Sequence, residues 1–375
     1  MTNNQGGIMT SRQVQLIDIL CLPTLLLTLD HKSLYQIITE ARHLSLLGQL
    51  KTACELDGIW DELPLFMQQQ LLSGFHSFEK QKKALTFEHE ELKAQLKDVL
   101  PSWRYIRGSA LQFSEEEMFK GRIKNNIDIF ISEKHVDAVL NQLLNHGWRY
   151  KNITDYEETF YCRWSNQTTP LIHKERRTEL AIHFHLLPKT LRHRLDETPL
   201  LHHHTSPITA HPATLLSPEA MVTHQAIMFF NQVNFKYGLR DLYDLHLQFS
   251  HFGKQRLFWH NLIQLHQQIG KDNSLFMALG LCHELFALKI PDNMMQFLNQ
   301  HASHRFIFWL YKERFSEVIR NAFPNYQNSD YRFAVKSLRF RGRLKRMPLY
   351  AILPHIIKKE IINLMPHEED EEIIY

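Results

Sequence analysis

Glycine is scarce in this chain, at 13 of 375 residues. A P-loop or a G-x-G-x-x-G turn needs clustered glycines to bring backbone N–H groups onto phosphate, and neither pattern occurs. Cysteine is scarcer still. Cys21, Cys54, Cys162 and Cys282 stand far apart with no C-x-x-C pair, which argues against a disulfide or zinc framework and predicts reduced thiols. No run approaches the roughly 20 apolar residues that a membrane-spanning helix needs. The polar start, Met1–Gln13, lacks the apolar core of a secretion signal, so a cytoplasmic location is expected. Charge of one sign is also missing. Forty-three basic against 40 acidic side chains leave +3, a balance that calls for no nucleic-acid or membrane partner.

What is present is enough chain for two or three packed units, of ordinary globular composition. Residues 11–100 read as an N-terminal helical region. Ser33–Leu47, Leu63–Phe75 and Phe78–Val99 carry apolar residues at three- and four-residue spacings, and Pro101 ends the run. Residues 101–190 change texture. Trp103–Ile106, Ile127–Ile131, Phe160–Trp164 and Leu180–Leu186 read as strands. A helix over Lys134–Asn145 precedes Gly147, placed as its C-terminal glycine. Residues 191–216 form a loop rich in His, Pro and Thr. Residues 217–365 read as a C-terminal helical region opened by Ser217-Pro218-Glu219, and 366–375 as an acidic tail. The expected fold class is α+β, a small mixed sheet flanked by helical regions.

The middle unit holds the residues with chemical promise. A first strand ends in Arg107-Gly108-Ser109. Arg122 follows, then the strand Asn126-Ile127-Asp128-Ile129, and fifty residues later the strand Glu179-Leu180-Ala181-Ile182-His183. Alternate strand residues share a face, so Asn126 projects with Asp128, and Glu179 with Ala181 and His183.

This layout resembles the nucleotidyltransferase superfamily with the DNA polymerase β-like fold. More narrowly it resembles an uncharacterised bacterial nucleotidyltransferase family found near peptide- and polysaccharide-biosynthesis genes. That family's pattern is a Lys-Gly pair after a strand, an Arg four residues ahead of an Asp-x-Asp strand, a Gly-aromatic pair, and a strand near Glu-x-Asp-x-His-Trp. The matching residues are Arg107-Gly108, Arg122, Asn126-x-Asp128, Gly147-Trp148 and Glu179-x-Ala181-x-His183-Phe184. Pro218, His224 and Gly238-Leu239-Arg240-Asp241-Leu242 look like its later segment.

The resemblance implies transfer of a nucleoside monophosphate from an NTP to a small-molecule, peptide or protein acceptor. Two Mg²⁺ (or Mn²⁺) ions about 3.5–4 Å apart would be caged by carboxylates in that chemistry. Asp128 and Glu179 would hold metal, Asn126 would assist, and Arg107, Gly108, Ser109 and Arg122 would face the triphosphate. The sequence departs from the pattern where it matters most. Asn126 and Ala181 stand where two of the three acids belong. Glu179 is the substitute on the same face, better placed than Glu133 or Asp137. A catalytically inactive descendant that binds a nucleotide, peptide or protein partner is the alternative.

Plainer readings accompany these. Taken without its flanking pattern, Asp128 reads as a solvent-facing strand residue, Ser109 as the cap of a helix starting near Ala110, and Arg107 and Arg122 as surface charges. His183 and His185 with His202-His203-His204 offer zinc ligands, or else a core histidine and a solvated loop. Cys282-His283-Glu284 reads as packing. Arg332–Arg346 concentrates seven basic residues without an acid, a segment for RNA, anionic lipid or an acidic partner, or a helix face that pairs with Glu368–Glu372.

Overall fold

The computed structural model describes residues 14–114, 116–124, 126–152, 166–202, 213–301 and 305–346. Helices open the chain: α1 (Leu16–Cys21), α2 (His31–His43), α3 (Leu47–Leu56) and the 32-residue α4 (Leu65–Leu96). Leu34, Ile37, Ile38 and Ala41 line one buried stripe of α2 at helical spacing. Asp30 caps that helix by accepting the Ser33 N–H at 2.9 Å. The segments expected at Leu63–Phe75 and Phe78–Val99 are one continuous helix, α4, because nothing between them breaks it. Gly74 sits inside it as a packing glycine, where a β-carbon would collide with the Leu47 side chain.

The mixed unit that follows contains β1 (Trp103–Tyr105), α5 (Arg107–Phe113), β2 (Asn126–Phe130), α6 (Val136–Asn145), β3 (Trp148–Tyr150), β4 (Leu171–His173) and β5 (Glu179–His183). Short helices α7 (Lys189–Arg192) and α8 (Thr198–His202) lead to β6 (Ala213–Leu215). The strands form one sheet in the order β3-β4-β5-β2-β1-β6. The pairs β2–β5 and β1–β6 are parallel and the others antiparallel. The protein is therefore α+β, a mixed sheet flanked by helices.

Some details differ from the sequence reading. A 3-10 turn, Glu133–His135, precedes α6, and Gly147 follows it with φ +88°, as a C-terminal glycine should. β5 stops at His183, short of Leu186, because the N–H groups of Phe184 and His185 turn away to the Asn166 carbonyl. The supposed loop at 191–216 holds α8 and β6. β6 joins β1 through backbone pairing, which a His- and Pro-rich composition nearby does not prevent. The strand expected at Phe160–Trp164 lies outside the described residues, as do Cys162, His203, His204 and the acidic tail.

Seven further helices are described: α9 (Pro218–Phe230), α10 (Gly238–Phe252), α11 (Phe258–Ile269), α12 (Ser274–Phe286), α13 (Asp292–His301), α14 (Arg305–Arg320) and α15 (Ser329–Arg346). Ser217 caps α9 by accepting the Ala220 N–H at 3.2 Å, with Pro218 at the first helical position. The N-terminal helices and α9–α15 share one hydrophobic core, running from Leu16 and Met67 to Phe315 and Leu338. The sheet has a second core with the later half of α4 (Leu85, Leu92, Leu96) and with α5 and α6. No described helix is long and apolar enough to cross a membrane. α15 is amphipathic. Ala334 and Leu338 enter the core, Arg341 donates to the Phe230 carbonyl at 2.5 Å, and Lys345 pairs with Asp272 at 3.6 Å. Arg332, Lys336 and Arg339 stay exposed.

Candidate functional site

Register places the motif residues side by side. Along the parallel pair, Asn126 is opposite Glu179, Asp128 opposite Ala181, and Phe130 opposite His183. Ile127, Ile129, Leu180 and Ile182 are fully buried in the sheet's core, so the alternating polar residues are left together on one face.

The Arg107-Gly108-Ser109 turn follows β1, the other neighbour of β2. α5 begins at Arg107 with Ile106 as its N-cap, so Ser109 is not the cap expected near Ala110. Its hydroxyl accepts the Asp128 backbone N–H at 2.9 Å and donates to the Asn126 carbonyl at 3.4 Å. It completes the hydrogen bonding of β2 where β1 has turned into helix. Arg107 sits at φ +55°, a left-handed conformation that costs a non-glycine residue about 1 kcal/mol or more.

Asp128 does not face solvent; it is 2 % exposed. One carboxylate oxygen pairs with the Lys124 ammonium. The other accepts from His183 Nε2 at 3.0 Å and from the Asn126 amide at 3.3 Å. Burial first, then Arg107 and Lys124, hold His183 well below its ordinary pKa, so it is a neutral imidazole donating from Nε2. Lys124 was not singled out by the sequence. Its stem lies across Gly108, where a β-carbon would come within 2.7 Å of Lys124 Cδ. Burial and the guanidiniums of Arg107, Arg122 and Arg240 depress its pKa well below the usual value, with Asp241 opposing them.

Arg122 is not a surface charge. Its Nε donates to Asp244 at 2.7 Å and its Nη2 to Asp241 at 3.4 Å, and it is 4 % exposed. Burial works against its charge, but the two carboxylates outweigh it and raise its pKa. Gln49 donates to the second Asp244 oxygen at 3.0 Å, tying the pair to α3. Asp241 belongs to the Leu239–Leu242 motif, so that part of the arrangement had a signal in the sequence. Asp244 had none.

Two clefts meet at Asp128. One, about 370 Å³, is lined by Arg107, Asn126, Asp128, Lys151, Gln167 and Glu179 among others. In it Glu179 pairs with Lys151 at 2.6 Å. The other, about 240 Å³, lies toward α9 and α10 and includes Gly108, Arg122, Lys124, Gln225, Arg240 and Asp241. Arg107, Asn126 and Asp128 line both.

The donor set does not fit a two-metal cage. Asn126 brings no charge, Ala181 no ligand, and both oxygens of Asp128 are engaged by side chains. Glu179 is held by Lys151. Among the described residues no group of three or more His, Cys, Asp or Glu could hold a metal ion. The H-x-H pair separates: His183 turns to Asp128, and His185 to Glu197 at 2.7 Å and Glu133 at 3.5 Å. Cys282 is buried packing, but His283 bonds the Leu288 carbonyl at 2.8 Å and Glu284 pairs with Lys312 at 2.7 Å.

The sequence model of a family described as uncharacterised nucleotidyltransferase matches residues 30–287. That span runs from the N-cap of α2 to the end of α12 and takes in the whole sheet. No curated protein and no solved structure gives a significant match.

Proposed function

The chain belongs to the uncharacterised nucleotidyltransferase family, and on that premise we propose that its β2–β5 cleft binds a nucleoside triphosphate without assembling a two-metal cage. The general chemistry of such a family is transfer of a nucleoside monophosphate from an NTP. The observation that carries our reading is the state of Asp128. It is the one acid of the expected three, and Lys124, His183 and Asn126 already satisfy its oxygens. Arg107 and Lys124 are the cations that meet phosphate, since a guanidinium grips phosphate with two bonds and an ammonium acts as a point charge. Ser109 fixes Asp128, and Arg122 fixes the loop that carries Lys124. The cleft beside Glu179, Lys151 and Gln167 leaves room for a small-molecule, peptide or protein acceptor or partner.

The alternative is transfer with Mg²⁺ or Mn²⁺ on Asp128 and Glu179. What favours it is that both carboxylates line one cleft; it requires Lys124 and Lys151 to leave them. Thermal shifts with ATP, GTP, CTP and UTP, with and without divalent metal, test the choice, because a ligand of the native state raises the melting temperature. We expect a shift with at least one nucleotide and no pyrophosphate release. Release should emerge in the Asn126→Asp, Ala181→Asp double variant. Release by the natural chain that stops in Glu179→Gln establishes the alternative. No shift with any nucleotide overturns the reading.

A further inference from the structure

We propose that Lys124 takes the place of a metal ion in this cleft, so that the site accepts the phosphate chain of a nucleotide in its metal-free form. The inference rests on the nucleotide reading above and specifies the state of its ligand.

Geometry is the first ground. A glycine in the Arg107-Gly108-Ser109 turn leaves space where phosphate or a metal–phosphate complex would approach. Here that space receives the Lys124 stem, whose Cδ lies where a β-carbon on Gly108 would be only 2.7 Å away. The ammonium thus stands between the turn and Asp128, where the family's chemistry calls for a cation.

Unfilled bonding capacity is the second. An ammonium has three donors. Apart from Asp128, the Lys124 nitrogen has no partner among the described residues, although its side chain is only 13 % exposed. The Lys124 side chain lines the 240 Å³ cleft with its nitrogen just beneath the surface, so a ligand there meets it once the side chain turns outward. A buried donor left unmade is costly, which makes an incoming acceptor favourable.

Charge is the third. Arg107, Arg122, Lys124 and Arg240 face or border this cleft, against the carboxylates of Asp128, Asp241 and Asp244. With Lys124 taken as the ammonium that its contact with the Asp128 carboxylate favours, four cations against three anions leave one positive charge in excess. His183 and His224, which stand nearby, are both held neutral. A phosphate anion completes such a set, whereas a divalent cation worsens it. Magnesium already wrapped by the phosphates would have to fit where the ammonium is.

Isothermal titration of the full chain with ATP and with inorganic tripolyphosphate, in excess EDTA and then in excess Mg²⁺, tests this. We expect binding in EDTA and weaker binding in Mg²⁺. Lys124→Met should weaken the metal-free affinity by about tenfold to a hundredfold. Asp128→Asn gives the more telling result, because it frees the ammonium without removing it and should tighten metal-free binding. Removing a metal ligand would do the reverse. That variant also keeps the test decisive if Lys124→Met fails to fold, which circular dichroism will reveal. Binding that needs Mg²⁺ and is lost in Asp128→Asn overturns the role of Lys124 and leaves the nucleotide reading standing. Tripolyphosphate binding in EDTA without ATP binding supports Lys124 and overturns the nucleotide. No binding of either ligand in either buffer overturns both.

Discussion

Gly48 and Gly121 meet backbone to backbone: a β-carbon on Gly48 would stand 2.5 Å from the Gly121 carbonyl oxygen and 2.8 Å from its Cα. Gly121 also has φ +82°, which only glycine adopts without strain. This contact seats α3 on the loop that carries Arg122 and Lys124, and Thr52 reinforces it by donating to the Lys120 carbonyl at 3.0 Å. Neither backbone can yield as a flexible side chain would. Gly48→Ala should therefore cost about 1–3 kcal/mol of stability by overpacking, read as a lower midpoint in urea. An unchanged midpoint would mean that the loop does not rest on α3.

Asp244 is fully buried between Arg122 and Gln49. Removing one partner of a buried pair leaves the other charge uncompensated, at a cost of about 3–5 kcal/mol. Asp244→Asn should show that loss in denaturant unfolding. The double replacement Arg122→Met, Asp244→Leu should recover much of it, since apolar packing removes the stranded charge. If the double variant is as unstable as the single one, the pair supports more than its own charges.

Acid should destabilise the protein before its carboxylates protonate. Burial, then Arg107, push the His224 pKa down to about 3 despite the bond to the Leu186 carbonyl; burial pushes His246 down to about 4. Both folded values lie below the unfolded value of about 6.5. The stabilisation is thus complete above that pH and is lost as pH falls toward the folded values, because the unfolded chain binds more protons. Each such group, His183 included, can contribute up to about 1 kcal/mol per pH unit between roughly pH 6 and pH 4.5. Urea midpoints that stay level from about pH 7 to about pH 5 would contradict this.

Ser109→Ala should destabilise the chain by about 1–3 kcal/mol, because the Asp128 N–H loses its acceptor in a buried setting. Ser109→Thr keeps the hydroxyl and should lose less of the hydrogen bond, although its methyl must fit a buried site. Melting temperatures of the two variants give the comparison.

The face of the site was readable because β2 and β5 alternate. Ile127 and Ile129, like Leu180 and Ile182, fix which residues go inward, and Asn126, Asp128, Glu179 and Ala181 follow. Residue pattern does not reveal that Lys124 turns back on Asp128. The lysine lies four residues ahead and outside the strand, where no periodicity relates the two. Only the close approach at Gly108 brings the stem across. The partners of Arg122 are about 120 residues away in sequence, a distance that only packing can close. β3, β4 and β6 have three residues each, too few for alternation to register; β1 is as short and was legible only through its aromatic residues and the Pro101 that precedes it.

α4 has a consequence for how long this chain can be. Met67 and Leu71 engage one core and Leu85, Leu92 and Leu96 the other, with Glu79–Ala84 mostly open to water between them. One residue added or removed in that bare stretch would turn one end against the other by about 100° and slide it by about 1.5 Å. Both apolar faces could not then stay seated. Apart from Gln81, which accepts the Lys124 backbone N–H at 2.7 Å, the exposed midsection is free to vary in composition, yet its residue count is fixed like the gear ratio between two wheels on one shaft. Even seven residues, which return the faces to within about 20°, would drive the two ends apart by about 10.5 Å, so the two cores hold the length as firmly as the angle.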